Sequence, residues 1–341
     1  MATAASLRSA GPGLWFCKGT FNLGEDGTGN GLQYPGLRNR LLDRVEADGA
    51  SQLRESTEDE LFEEREALAA VSAGKHVPFE LDTAMTVIRH DSDQIMLRSV
   101  VPFTEALASE VRDLGRVTSL VVACLQHWLF VPEWKAAFPD ATVYITPAAL
   151  GEDLRDKLGS KIGGEAVELR DVIDGATPQI SPDIEQLLFR GAPLNMNETI
   201  MFHRPSRTLI VDDAFYGGYS ACCNTSWFQR SWFKATKNGS FRSATLPSYR
   251  TERVHTHGDV TALVDDLKSI SQWDFDQIVY THGQSLCNVD AKAAFLGAWE
   301  AVVEQAALKR AKAEALELEF HAQRLAADGR SGGAVAASAT R

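Results

Sequence analysis

Four polar residues in this chain follow apolar runs that are typical of buried strands. His127 follows VVACLQ, Asp212 and Asp213 follow TLIV, and His282 follows IVYT. Because α/β sheets place ligand sites at the carboxyl ends of such strands, we expect these side chains to converge in one cleft. Neutral imidazole and carboxylate are suitable ligands for a zinc, iron or manganese ion. The pattern therefore predicts a minimal set of ligands for a metal site.

A further histidine, His203, lies in the segment MFHRPSRT, nine residues before Asp212. Pairing between two strands would bring it near that aspartate, as an auxiliary ligand or as a partner that shifts the aspartate pKa. Alternatively, His203, Arg204 and Arg207 surround a tight turn and bind aspartate or backbone oxygens. The turn-forming residues of the segment favour this second interpretation.

Basic and aromatic residues are interleaved between Gln229 and Arg253. Arg230, Lys234 and Lys237 are the candidate anion-binding residues of this segment. A basic aromatic surface can hold an anionic ligand, a single nucleic-acid strand or an acidic partner. The alternative, which is more common in proteins, is an amphipathic lid whose aromatic rings pack on the core while its cations face water.

Two hairpins and several crossover helices are predicted to position these residues. The hairpins are AMTVIRH with QIMLRSVV, and NETIMFH with RTLIVDD. The helices are TEALASEVRDLG, VPEWKAAF, PAALGEDLRDKLG and DVTALVDDLKSISQWD, and the remaining buried strands are VTSLVVACL, ATVYIT and FDQIVYTHG. This order predicts an α/β sandwich with helices outside two mixed sheets.

The two ends of the chain differ from this core. We predict an irregular N-terminal arm and an acidic helical linker over residues 1–80, because the arm is rich in glycine and turn formers. The main domain is expected over residues 81–303. Residues 304–341 are predicted to extend a C-terminal helix and to end in a disordered tail. The charged far half of this helix has little apolar surface, so we expect it to project and to offer a contact for a protein partner.

Composition bounds the compartment and the partners. The 341 residues carry a net charge of −12, which disfavours nucleic acid as a partner. No apolar run approaches the roughly 18 residues that span a bilayer, so no membrane contact is expected. Five cysteines lack the spacing of a disulfide framework or a zinc ribbon, which indicates free thiols in a reducing compartment, the cytoplasm or a plastid. The chain also lacks the nucleophile-elbow, Walker-loop and dinucleotide-binding motifs.

The order of these motifs resembles the metallo-β-lactamase fold. More narrowly, LVVACLQHWLFVPEWKAAFPDATVY, NETIMFHRPSRTLIVDD and WDFDQIVYTHG are similar to a family of unknown function within that superfamily. The resemblance covers roughly Met85 to Val303. It implies an αββα sandwich of two mixed β-sheets with flanking helices.

The chain departs from the metal-binding motif of active superfamily members. They carry T-H-x-H-x-D-H after the second buried strand, where this chain has CLQHWLF, so only His127 can match a ligand there. Another family histidine is expected in LFRGAPLN, which contains none. Asp213 can match the bridging aspartate and His282 the final histidine. The resemblance therefore implies a degraded metal site, and we expect His127, Asp213 and His282 to form a hydrogen-bonded remnant of a metal pocket rather than a binuclear centre.

Two functions remain open. The first, favoured by the shortage of ligands, is a protein without a bound cofactor that binds an unknown small molecule or protein. The second is a hydrolase of an ester or phosphoester. In it, His127, Asp213 and His282, helped by His203 and Asp212, hold one zinc, iron or manganese ion.

Overall fold

The computed structural model describes much of the predicted main domain and part of each end. The described residues are 6–23, 79–90, 93–124, 127–146, 158–162, 166–168, 180–189, 198–215, 260–283, 286–287, 290–300, 302–304, 307–308, 311, 315 and 318.

The strands described form two mixed sheets. The first contains β1 (Arg8–Gly11), β2 (Leu14–Leu23), β3 (Phe79–His90), β4 (Gln94–Arg98), β5 (Arg116–Val122), β6 (Thr142–Ile145) and β7 (Val167–Glu168), in that order. Pairing is antiparallel from β1 to β4 and parallel from β4 to β7.

The second sheet has the order β12-β11-β10-β9-β8. Its strands are β8 (Ile184–Leu188), β9 (Thr199–His203), β10 (Thr208–Val211), β11 (Gln277–Tyr280) and β12 (Leu286–Cys287). The β10–β11 pair is parallel and the other pairs are antiparallel. Both hairpins predicted from the sequence are present, as β3–β4 and β9–β10.

Helices cover the outer faces of the sheets. They are α1 (Glu105–Leu114), α2 (Val131–Ala137), α3 (Val260–Gln272) and α4, whose first part spans residues 291–300. Thr104 caps α1, because its Oγ1 accepts a hydrogen bond of 3.3 Å from the N–H of Leu107. The predicted helix PAALGEDLRDKLG falls largely outside the described residues. Gly159–Ile162, where it ends, forms a 3-10 turn.

The buried apolar side chains form three clusters that establish the layer order. One lies between the sheets and combines Leu14, Ile88, Met96 and Val121 with Met201, Ile210 and Val279. A second packs α1 and α2 against the outer face of the first sheet, and the third packs α3 and α4 against the second sheet. Helix, sheet, sheet and helix therefore follow one another, which confirms the predicted αββα sandwich.

The prediction of an irregular N-terminal arm is wrong for Arg8–Leu23. Strand β2 pairs with β3 along its whole length, from Leu14 opposite Ile88 to Leu23 opposite Phe79. Leu14, Phe16 and Cys17 of β2 are buried in the core. The free energy of this burial outweighs the turn propensity of the glycine-rich segment. The main domain therefore begins before residue 81. The acidic linker predicted within residues 24–78 lies outside the described residues.

Helix α4 changes character along its length. Ala291, Phe295, Trp299 and Val302 are buried against the second sheet, at intervals that place them on one helix face. Leu308 and Leu318 are 71% and 72% exposed. Among the helices described, none is long and apolar enough to cross a bilayer.

Candidate metal centre

The ends of four strands meet at one edge of the sandwich. Asp213 follows β10 and His282 follows β11, and these two strands are parallel with Val211 opposite Tyr280. From the first sheet, Ser99 follows β4, and Cys124 and His127 follow β5. Backbone hydrogen bonds tie these ends together, including Ser99 N–H to Val121 O at 3.0 Å.

The structure brings the predicted residues His127, Asp213 and His282 into contact. Asp213 Oδ1 lies 3.5 Å from Nε2 of His127 and 3.3 Å from Nε2 of His282. The centroids of the two imidazole rings are 5.1 Å apart. All three side chains are at least 89% buried, since their exposed fractions are 9%, 11% and 5% in chain order.

Cys124 is a further donor that the sequence interpretation did not assign to the site. Its thiol donates a hydrogen bond of 3.4 Å to Asp213 Oδ2, and the side chain is fully buried. Ligand atoms of Cys124, His127 and Asp213 all lie within 4.8 Å of one another. Its position inside an apolar run made it indistinguishable from a buried core thiol in the sequence.

Burial and mutual attraction set the protonation of this cluster. Burial alone would lower the pKa of His127, but the Asp213 carboxylate outweighs it and raises that pKa to about 9. Burial likewise opposes ionisation of Asp213. The imidazoles of His127 and His282 outweigh this effect and hold the Asp213 pKa well below its usual value.

Asp212, predicted as an auxiliary ligand, has a different position. Its Oδ1 accepts from Arg98 Nε at 3.3 Å and from Thr281 Oγ1 at 2.9 Å, and its Oδ2 accepts from Ser99 Oγ at 2.7 Å. Burial would raise the Asp212 pKa, but the Arg98 guanidinium lowers it. Buried donors therefore occupy both oxygens of Asp212, so the prediction that Asp212 is an auxiliary metal ligand is wrong.

Glu198 joins this buried group and was missed by the sequence interpretation. Its two oxygens accept from the backbone N–H groups of Asp212 and Ala214, each at 2.6 Å. Its Oε1 is also 3.5 Å from Arg98 Nη2. Burial, followed by the charge of Asp212, raises the Glu198 pKa to about 8. The only signal in the sequence was one acidic residue at the start of the apolar strand ETIMFH.

His203 is not at this edge, so its predicted role as an auxiliary ligand is wrong. The register of β9 and β10 places it opposite Thr208, at the start of β10, whereas Asp212 follows the end of that strand. Its Nδ1 lies 2.7 Å from Ser206 Oγ.

The turn interpretation of this segment agrees with the structure. Arg204 Nε lies 3.0 Å from Glu185 Oε1, and Arg207 forms ion pairs with Asp274 and Asp276 at 2.8 and 3.0 Å. These are the aspartate and backbone contacts expected around a tight turn. The candidate anion-binding residues Arg230, Lys234 and Lys237 lie outside the described residues.

Three of these donors, Cys124, His127 and Asp213, form a group that could hold one metal ion, and His282 adjoins it through Asp213. A tetrahedral ion bound at about 2.0 to 2.3 Å holds its ligand atoms about 3.3 to 3.7 Å apart. The distances from Asp213 Oδ1 to the two imidazoles, 3.5 and 3.3 Å, fall in that interval, as does the 3.4 Å from Oδ2 to the Cys124 thiol. A thiol, two imidazoles and a carboxylate are also the ligand types that zinc and iron accept.

Comparison with known proteins adds a fold-level likeness. No protein-family model and no curated protein matches the chain. The structure is similar to a metallo-β-lactamase from Hirschia baltica, with 10% identity over 88% of this chain and 98% of that one and a TM-score of 0.44. It is also similar to the metallo-β-lactamase FIM-1 from Pseudomonas aeruginosa, with 6% identity over 90% of this chain and 97% of that one and a TM-score of 0.46. A third similar structure is a fragment of a putative diflavin flavoprotein from Nostoc sp. PCC 7120, with 10% identity over 94% of this chain and 100% of that one and a TM-score of 0.45.

Proposed function

We propose that this chain is a metallo-β-lactamase-like hydrolase that holds a single divalent transition-metal ion. His127, Asp213 and His282 would bind the ion and leave the fourth position to water, with the Cys124 thiol beside Asp213. The observation that carries the proposal is the convergence of a thiol and two imidazoles on the Asp213 carboxylate, at 3.3 to 3.5 Å.

The charge balance of the cluster supports a bound cation. Among the described residues, the carboxylates of Glu198, Asp212 and Asp213 are buried together and only one guanidinium, that of Arg98, lies against them. Buried charges are costly unless they are paired or coordinate a metal. Arg98 lies against Glu198 and Asp212, so the counter-charge of Asp213 is a protonated His127 in the metal-free protein, and a divalent ion would take the place of that proton.

The four donors differ in their access to water. Cys124 is fully buried, whereas His127, Asp213 and His282 retain small exposed fractions. Substrate would therefore approach from the side of the two imidazoles and the carboxylate. When bound, the ion would supply a Lewis acid and a water of lowered pKa for attack on an ester or phosphoester. The Asp213 carboxylate would offset part of the positive charge of the ion, and both histidines would bind the ion through Nε2.

A second candidate function is a non-hydrolytic binding or interaction protein. The observation that favours it is the Cys124 thiol beside Asp213, because a site in which the thiol binds together with His127, Asp213 and His282 would have a full tetrahedral shell and no position for water. In that case the ion would be structural.

Asp213→Asn tests the proposal, because it keeps the shape of the side chain and removes its charge. Protein loaded with zinc, manganese or iron should hydrolyse a chromogenic ester or phosphodiester, and chelation or Asp213→Asn should abolish the turnover. Asp266→Asn, which changes a fully buried carboxylate in α3, serves as the matched control and should keep it. A chelator-sensitive melting temperature without turnover would support the structural-ion alternative. Insensitivity to both chelator and added metal would contradict both metal-dependent functions.

A further inference from the structure

The buried polar group behind the candidate centre connects three strand ends. It consists of Arg98, Ser99, Glu198, Asp212 and Thr281, whose exposed fractions are all 3% or less. None of these side chains is accessible to a substrate. We infer that Asp212 and Glu198 are positioning residues that fix Asp213 relative to His282, an inference that rests on the proposed metal site.

Asp212 ties together the segments that carry two of the donors. It immediately precedes Asp213, and its Oδ1 accepts a 2.9 Å hydrogen bond from Thr281, which immediately precedes His282. Its Oδ2 accepts a 2.7 Å bond from Ser99, at the end of β4 in the other sheet. One carboxylate therefore sets the distance between two donor-bearing turns and anchors both to the opposite sheet.

Glu198 fixes the backbone on both sides of Asp213. The chain leaves the β10 ladder after Val211, so the N–H groups of Asp212 and Ala214 no longer face a strand partner. The two oxygens of Glu198 accept from these N–H groups at 2.6 Å each. Two short bonds that flank one residue restrict its backbone, and with it the direction of the Asp213 side chain.

The cost of this arrangement argues for a positioning role. Burying charged groups is expensive, and apolar residues of similar volume often stabilise a core as well or better. Here Arg98, Glu198 and Asp212 are fully desolvated at the base of one cluster. Groups that hold metal ligands in place commonly change metal affinity by about 10- to 100-fold when they are altered.

Thr281→Val tests the Asp212 link, because valine keeps the shape of threonine and removes its hydroxyl. Thr208→Val is the matched control. Thr208 is also buried and its hydroxyl bonds Gln277 at 2.6 Å, but it lies at the opposite end of β10. Titration with Co²⁺ should show a dissociation constant about tenfold higher in Thr281→Val, with a changed absorption spectrum, and wild-type behaviour in Thr208→Val.

A second pair of variants tests Glu198. Glu198→Gln presents an amide N–H₂ group to a backbone N–H donor, so one of the two short bonds is lost. Glu185→Gln changes a carboxylate that also accepts two bonds, from Trp273 and Arg204, but on β8 away from the centre. The first variant should weaken Co²⁺ binding about tenfold and the second should not.

Ring-proton NMR of the metal-free protein separates this inference from the metal proposal. Thr281→Val and Glu198→Gln should shift the His282 ring signals and leave those of His203, at the other end of the sheet, unchanged. Unshifted His282 signals together with wild-type Co²⁺ affinity in both variants would overturn the inference. If the wild type bound no Co²⁺, the proposed function would fail and the His282 signals alone would decide the positioning role.

Discussion

Asp213 is contacted by three side chains of two kinds. An imidazole lies at 3.3 Å, a second imidazole at 3.5 Å and a thiol at 3.4 Å. In a metal-free pocket these groups would satisfy the buried carboxylate by donating protons to it. In a metal centre they would share one ion with it. The thiol distinguishes the two cases, because it is a weak hydrogen-bond donor but a strong metal ligand when it is deprotonated.

Replacement of Cys124 by serine should therefore weaken metal binding with little effect on the fold. The hydroxyl can still donate to Asp213, but it is a poor ligand for zinc or cobalt. We expect the zinc dissociation constant to rise at least about tenfold, and the thiolate-to-metal charge-transfer band of the cobalt protein to disappear. Cys17→Ser is the control, because Cys17 is also a buried thiol and burial raises its pKa to about 12. Equal affinities in both variants would exclude Cys124 as a ligand.

His203 should give the protein an acid-sensitive stability that is independent of the centre. Burial lowers its pKa to about 4, with Asp183 raising it and His90 lowering it further. Because the folded pKa lies below the unfolded value of about 6.5, the unfolded chain binds more protons between these values. The free energy of unfolding should thus fall by about 2 kcal/mol as the pH drops from 7 toward 4.5. Denaturant titrations should show a smaller loss in His203→Gln, and an identical loss would contradict the assignment.

The site could be predicted in part because strand ends are visible in the sequence. His127, Asp213 and His282 each follow an apolar run, and the parallel pairing of β10 with β11 brings the last two together. No such pattern identifies Cys124 or Glu198. In the sequence, Cys124 resembles a buried core thiol, and Glu198 is an acidic residue at the start of a strand. Their roles depend on contacts between strand ends that periodicity does not encode.

At the scale of elements, Arg98 in β4 holds the ends of β9 and β10 together. It lies 3.5 Å from Glu198 and 3.3 Å from Asp212 with no exposed surface. Arg98→Met should lower the free energy of unfolding by about 3 to 5 kcal/mol, because two buried carboxylates lose their guanidinium. Arg89→Met, which removes a half-buried guanidinium bonded to Leu114 O at 2.9 Å, should cost about 1 kcal/mol in the same denaturant titration. Similar losses of stability in the two variants would show that Arg98 does not neutralise the buried carboxylates.

Elements with a clear period were predictable and those decided by distant packing were not. The β3–β4 and β9–β10 hairpins follow from alternating apolar residues and turn formers, and α1 follows from its threonine cap. Strand β2 was missed because its glycine-rich surroundings resemble a loop. Its pairing with β3 spans a long sequence separation, and no local pattern specifies such a partner.

At the scale of the whole molecule, the four packed layers bury the faces of both sheets. Polar groups that could do chemistry therefore lie at the edge of the sandwich. Three apolar clusters separate the layers and exclude water from the interior. The polar strand ends collect at one edge, between the two sheets. The near half of α4 completes the outer layer with Phe295 and Trp299, while its described positions from 307 onward are exposed.

Removal of the chain after Lys309 should therefore have little effect on stability. We expect the free energy of unfolding to change by less than about 1 kcal/mol, since residues 311, 315 and 318 are exposed. Removal after Ala298 is the contrasting truncation, because it deletes the fully buried Trp299 and should cost at least about 3 kcal/mol. A loss of several kcal/mol in the shorter deletion would show that the far half packs on the core.

The metal content of the purified protein tests the central claim most directly. The chain should be purified without an affinity tag that carries metal and then analysed for zinc, iron and manganese against protein concentration. The donors gathered at Asp213 predict about one ion per chain, lost in Asp213→Asn. A wild-type protein that contains no metal and takes up none from solution would contradict the single-ion centre.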